Sequence, residues 1–319
     1  MLNQIPIVIA GGGIVKFGAT YFESAEDIEV KITDETKEIS TITRGKIVER
    51  LVSRKAEISF KPIKFSDFSA IYGVLSKQRG DLVFGSTNTP CEIYGADGAH
   101  FVFPRAAIPN PGALGLGIDK DPFESITIEA LPDPTKPLSD VSSLYVRSSA
   151  SMPTLPALQS ADLAASAFIA VYGDPQNGGF AFDLEEGGTF NFEIETAEKK
   201  IDRLGVYDYQ IKEIGVSFTC KPANISYENW EKLTNMASSP RLGGIYGGGQ
   251  SLLVRGTYTG DIACNVGSVI CKERGLVWSD EASRMSEITL NAVGANKFAM
   301  STTEDDYFDD DEEEEENNG

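Results

Sequence analysis

The stretch "ISFKPIKFSDFSAIYG", residues 58–73, decides the fold. Ala56, Ile58 and Phe60 alternate with Glu57 and Ser59, the period of a strand with one buried face. Lys61-Pro62 follows, and because proline cannot donate to a ladder the strand is expected to end there. Ser66 is then a candidate cap for a helix whose apolar face carries Phe68, Ile71, Tyr72 and Leu75. The chain writes this corner again as "FTCKPANISYENWEKL", residues 218–233. There Val216, Phe218 and Cys220 alternate with Ser217 and Thr219, and Ser226 precedes Trp230 and Leu233 at helical spacing. Lys221-Pro222 stands 160 residues after Lys61-Pro62 (221 − 61 = 160).

Further blocks recur outward from this corner, in one order. "IEVKI" (28–32) matches "FNFEI" (190–194), and each leads through a charged turn into the second strand of a hairpin. "IYGADGAHFVFPRAAI" (93–108) aligns without a gap on "IACNVGSVICKERGLV" (262–277), placing hairpin turns around Gly98 and Gly267. "SITIEA" (125–130) returns as "EITLNA" (287–292). An ordered set of this kind predicts a duplicated module. The expected organisation is a first module over 1–130, a linker over 131–165, a second module over 166–300 and a disordered acidic tail over 301–319. Each module reads as mostly antiparallel β with one helix, an α+β sandwich or small barrel. The copies differ by an extra "PNPGALGLGIDKDPFE" after Ile108, where the second has only "WSDEASRMS".

Composition narrows the function. A chain of 319 residues with 41% hydrophobic residues can bury two cores. No apolar run approaches the ~18 residues of a membrane span, and "MLNQIPIVIAGGGIV" lacks the basic start of a signal peptide. A net charge of −20 argues against a duplex-binding surface, which needs clustered Lys and Arg. Much of it lies in "EDDYFDDDEEEEENNG", 304–319, a self-repelling block. Cys91, Cys220, Cys264 and Cys271 read as buried reduced thiols.

Catalytic vocabulary is nearly absent. A Ser-His-Asp or Cys-His device would have to use His100, the only histidine, which sits in the strand-like "GAHFVF". The glycine groups at 11–13 and 243–249 lack the strand-to-helix setting of a phosphate cradle and read as flexible loops. No catalytic, cofactor-binding or metal-ligating residue is assigned.

The order of strand, long hairpin, Lys-Pro corner, single helix, hairpin and last strand, carried by "FKPIKFSDF" and "SITIEA", resembles the tail-tube module of long-tailed bacteriophages. The resemblance runs over nearly the whole chain, and the same module serves baseplate hubs and the tubes of contractile injection systems. It implies modules standing side by side in stacked rings, strands joined into an inner barrel, and the helix outside. For a duplicated chain it implies a homotrimeric, pseudo-hexameric ring around a lumen that conducts viral DNA without sequence-specific binding. The implied partners are further copies of the chain, a tape measure protein, a tail terminator and baseplate or tail-tip proteins. The implied location is the virion tail, after assembly in the host cytoplasm. The hairpin "TDETKEISTITRGKIVER" (33–50) is expected to contact the next ring. Two other readings stay open: a baseplate hub or distal-tail ring, and a carbohydrate-binding or hydrolytic β-protein using Trp230, Trp278 and Tyr246 as a platform.

Overall fold

Alternating sequence becomes strand almost everywhere in the computed structural model, which describes residues 7–9, 12–41, 43–63, 68–85, 88–117, 120–156, 167–202, 204–234, 249–257, 262–273, 276–278, 283–294 and 298–302. Strand makes up 59% and helix 9%, so the class is mostly antiparallel β. The first half contains β1 (Ile7–Ile9), β2 (Gly13–Phe17), β3 (Thr20–Glu23), β4 (Ile28–Thr41), β5 (Gly45–Phe60), α1 (Phe68–Ile71) and β6 (Cys91–Gly95). It continues with β7 (Ala99–Phe103), β8 (Ala106–Ala107), β9 (Leu114–Leu116), β10 (Ile126–Ala130) and β11 (Val146–Ser149). The second half contains β12 (Phe168–Tyr172), β13 (Phe180–Ile201), β14 (Gly205–Ala223), α2 (Tyr227–Leu233), β15 (Gln250–Gly256) and β16 (Ile262–Glu273). It ends with β17 (Leu276–Trp278), β18 (Ser283–Met285), β19 (Ile288–Ala292) and β20 (Ala299–Thr302).

In the second half, β12, β15, β16, β19, β14 and β13 pair in that order, and β12 also pairs with β13, closing the circuit. Closure leaves no open edge around these six strands. The first half traces the same circuit in pieces. β3, β2, β6 and β7 form one sheet, and β4, β5, β10 and β8 form another. Where β13 runs unbroken, the first half has β3 and β4, bridged at the break by Ser24 opposite Pro62 and by Ala25 N donating to Lys61 O at 2.8 Å. Where β16 runs unbroken, it has β7 and β8.

The two long hairpins share one register at a constant offset of 160. Glu35 opposes Ser53 and Thr36 opposes Leu51, skipping one residue; Glu195 opposes Glu213 and Thr196 opposes Ile211, skipping the same one (195 − 35 = 160). The second irregularity, at Ile39/Ser40, recurs at Lys199/Lys200. A bulge re-aims a strand and is a specified feature of its position. The closing strands repeat as well. Thr127 opposes Ser59 with their hydroxyls 3.1 Å apart, and Thr289 opposes Thr219 at 3.2 Å.

Three sequence expectations shift on the structure, two of them alignments. Val30 and Phe190, facing Ile58 and Phe218, are the equivalent positions, so 28–32 matches 188–192 rather than 190–194. β7 and β8 correspond to β16 through Phe101/Cys264 and Ala107/Ile270, six residues from the gap-free alignment of 93–108. Both shifts are even, and an even shift keeps every side chain on the same face, so alternation cannot detect it. Gly98 does mark a turn, at φ +81°, whereas Gly267 lies inside β16 at a bulge opposite β15. The third concerns Pro222: β14 pairs on through it to Ala223, because β19 reaches only Ser217–Cys220 and that edge needs no donor.

Each corner runs into a short helix. Ser226 caps α2, its Oγ accepting from Asn229 N at 3.2 Å, and Trp230 and Leu233 are buried. Ile71 at the end of α1 and Tyr72 at the start of the 3-10 turn Tyr72–Ser76 are buried, while Ser66 lies outside the described residues. Within the expected linker, β11 adds to β7. The acidic stretch 304–319 and the glycines 243–248 lie outside the described residues. Gly13, expected in a loop, is in β2, where an added Cβ would meet Ile28 Cδ1 at 2.6 Å.

Candidate assembly interface

The chemistry of the described residues concentrates where the two halves meet. β14 carries the tip of the second hairpin onto the first half. There residues 80–83 lie antiparallel to it: Gly80 N donates to Ile211 O at 2.8 Å, Ile211 N to Asp81 O at 2.9 Å, and Val83 N to Tyr209 O at 2.8 Å. Around this short ladder Val74, Val83, Phe84, Ala107 and Leu131 of the first half pack with Val206 and Ile211 of the second. Alternation places Val206 and Asp208 on one side of β14, and Asp208 is fully buried.

A buried carboxylate needs partners. Asp208 accepts from Phe84 N at 3.0 Å, from Tyr209 N at 2.7 Å and from Arg105 Nη2 at 3.0 Å. Arg105, itself buried, also donates to the Tyr207 carbonyl and lies 5.0 Å from the Phe84 ring centroid. Burial draws its guanidinium below the usual arginine range, and the Asp208 charge opposes that. Tyr209 donates to the Glu129 carboxylate; burial first and this bond second push its hydroxyl up.

β9 makes a second seam. This strand lies in the extra stretch after Ile108, yet it pairs with β13, Leu114 opposite Phe190 and Leu116 opposite Gly188. A side chain on Gly187, at φ +75°, would run into the Leu116 carbonyl. The first half has the same added strand, since β1 pairs with β4 with Ile7 opposite Val30. Tyr72 ties the seam to both cores, donating to Ala113 O at 3.2 Å with its ring 5.1 Å from that of Phe192.

His100 is the centre of a separate polar cluster on β2, β6, β7 and β11. Its Nδ1 is 2.9 Å from Ser148 Oγ, its Nε2 is 3.2 Å from Glu92 Oε2, and its ring stacks on Tyr94. Lys16 and Tyr94 also donate to Glu92, at 2.7 and 2.6 Å. Burial alone would raise the Glu92 carboxylate, but these three bonds outweigh it and hold its pKa at about 2. Ser148 sits on an exposed strand directly opposite His100, so the cluster ties strands together on an open sheet face. The shallow depression nearby is lined by 95–98 and 149–152, and none of the cluster lines it.

The remaining singled-out residues fall in the core or outside view. All four cysteines are buried and in no disulfide, and burial pushes Cys91, Cys220 and Cys264 up. No metal-holding group of His, Cys, Asp and Glu occurs among the described residues. Trp230 is a core residue, Trp278 lies in β17, and Tyr246 is outside the described residues, so these three supply no described sugar platform. No helix among the described residues is long and apolar enough to cross a membrane.

Sequence reading missed Arg105–Asp208 and the β9 crossover. The visible signal was an arginine between two apolar runs, "FVFPRAAI", and an aspartate in the alternating "GVYDYQI". No protein-family model matches the chain, and no curated protein matches it.

Proposed function

We propose that the chain is a structural virion protein, a tail-tube subunit whose copies close into trimeric, pseudo-hexameric rings that stack around a DNA-conducting channel. The observation that carries this reading is the repeated hairpin register, with both bulges at one offset. Two modules of the same build stand against each other through unlike surfaces, the hairpin of one on the body of the other. A head-to-tail contact of that kind, repeated between copies, closes a ring or runs on as a filament. A ring also suits β-modules, because neighbours cover each other's strand edges. The net charge of −20 fits a conduit that must release a polyanion rather than hold it. The tape measure protein, tail terminator and baseplate or tail-tip proteins are the further partners this role entails.

Negative-stain microscopy of the purified chain tests the role. Tubes of uniform diameter are expected. Isolated rings that never stack would assign it to a hub or distal-tail ring, and particles of single-chain size at every concentration would overturn the reading.

A further inference from the structure

The joint inside the chain uses only one of the two equivalent hairpins. At the offset of 160, Arg44, Lys46, Val48 and Leu51 of the first hairpin answer Leu204, Val206, Asp208 and Ile211 of the second. Those four counterparts are all buried, Val206 and Ile211 in the cluster they share with the first module and Asp208 on Arg105. On the first hairpin Val48 is 49% exposed, and Ile39, directly opposite it in the ladder, is 45% exposed. Ile47 beside them is 53% exposed. Beyond Val52 and Ser53, where Gly205 rests, the described residues of the hairpin keep the same strand pairing with Ile39 and Val48 exposed.

The receiving surface also has a counterpart. The second hairpin rests Gly205 on Val52 and Ser53, and its Tyr209 reaches Glu129 next to Leu131. The matching positions on the second module are Lys212 and Glu213, and, two further on for the last strand (291 − 129 = 162), Asn291 and Val293. Lys212 and Glu213 are exposed, and Asn291 and Val293 half-buried.

We infer that the tip of the first hairpin, residues 36–51, docks on the second module of another copy of this chain, over Lys212, Glu213, Asn291 and Val293, as the second hairpin docks on the first module. This rests on the ring assembly proposed above and places the hairpin between neighbours in one ring rather than between stacked rings. One contact covers both surfaces, the exposed Ile39–Val48 pair and its receiving face, and a head-to-tail repeat covers every copy of them.

Two measurements on the full chain test it. Glu49→Cys with Asn291→Cys, the counterparts of Tyr209 and Glu129, should be joined between chains by a short bis-maleimide, while either single variant is not. Val48→Asp places a carboxylate opposite Ser268, the counterpart of Arg105, and should raise the concentration needed for assembly at least tenfold. Val141→Asp, at a position 48% exposed outside the hairpin, should leave it unchanged. Wild-type assembly without the interchain link, or with Val48→Asp assembling normally, overturns the docking while the ring reading stands. A wild-type chain that stays single overturns both.

Discussion

Arg105 and Asp208 meet 3.0 Å apart across the two halves of the chain, with side chains 4% and 0% exposed. A pair so placed gives register rather than cheap stability, because both charges left water to form it. Its removal on one side is the costly event. Asp208→Ala should lower the unfolding free energy by about 3–5 kcal/mol, since it takes from the buried Arg105 its counter-charge, leaving it only the Tyr207 carbonyl, and from the Phe84 N–H its acceptor. Replacing both residues together, Arg105→Met with Asp208→Leu, should recover the part of that loss that comes from the unpaired guanidinium, but not the part from the orphaned Phe84 N–H. Denaturant unfolding of the two variants checks both halves of the statement.

Gly205 is the other fixed point of the joint. Its φ of +69° favours glycine, and a side chain there would run into the Val52 carbonyl. Gly205→Ala should therefore loosen the joint without unfolding either half. Amide exchange reads it directly: the Gly80, Val83 and Ile211 N–H groups, protected by the short ladder, should exchange at least tenfold faster. Those of the Phe190–Phe218 ladder should not change.

The repeat was legible because it lies in local signals. Lys61-Pro62 and Lys221-Pro222, the alternating strands beside them and "SITIEA" with "EITLNA" all align in the structure as they do in the sequence. The pairing of 28–32 and 93–108 with their copies slipped by two and six residues because a period of two carries no information about even shifts. Pro222 was read as a strand end because its free edge, left by the short β19, is a property of the neighbour. The β9 crossover and the Arg105–Asp208 pair join residues 74 and 103 positions apart (189 − 115 = 74; 208 − 105 = 103), and no local pattern encodes such a meeting.

The Glu92 cluster sets an acid limit on the first module. Its folded pKa of about 2 lies below the ordinary 4.5, so its contribution is present above about pH 4.5 and lost as pH falls toward 2. The difference corresponds to about 3 kcal/mol when complete. Glu92→Gln should flatten the stability profile between pH 5 and 2, with a smaller loss at low pH than at neutral pH. Thermal unfolding across that range measures the slope; an unchanged slope would contradict the assignment.

The mass of the smallest assembled unit, measured by native mass spectrometry under conditions that preserve weak contacts, tests the central claim most directly. Two modules per chain and a ring of six modules predict three chains. A stable unit of six chains in one ring, or a chain that remains alone, would contradict it.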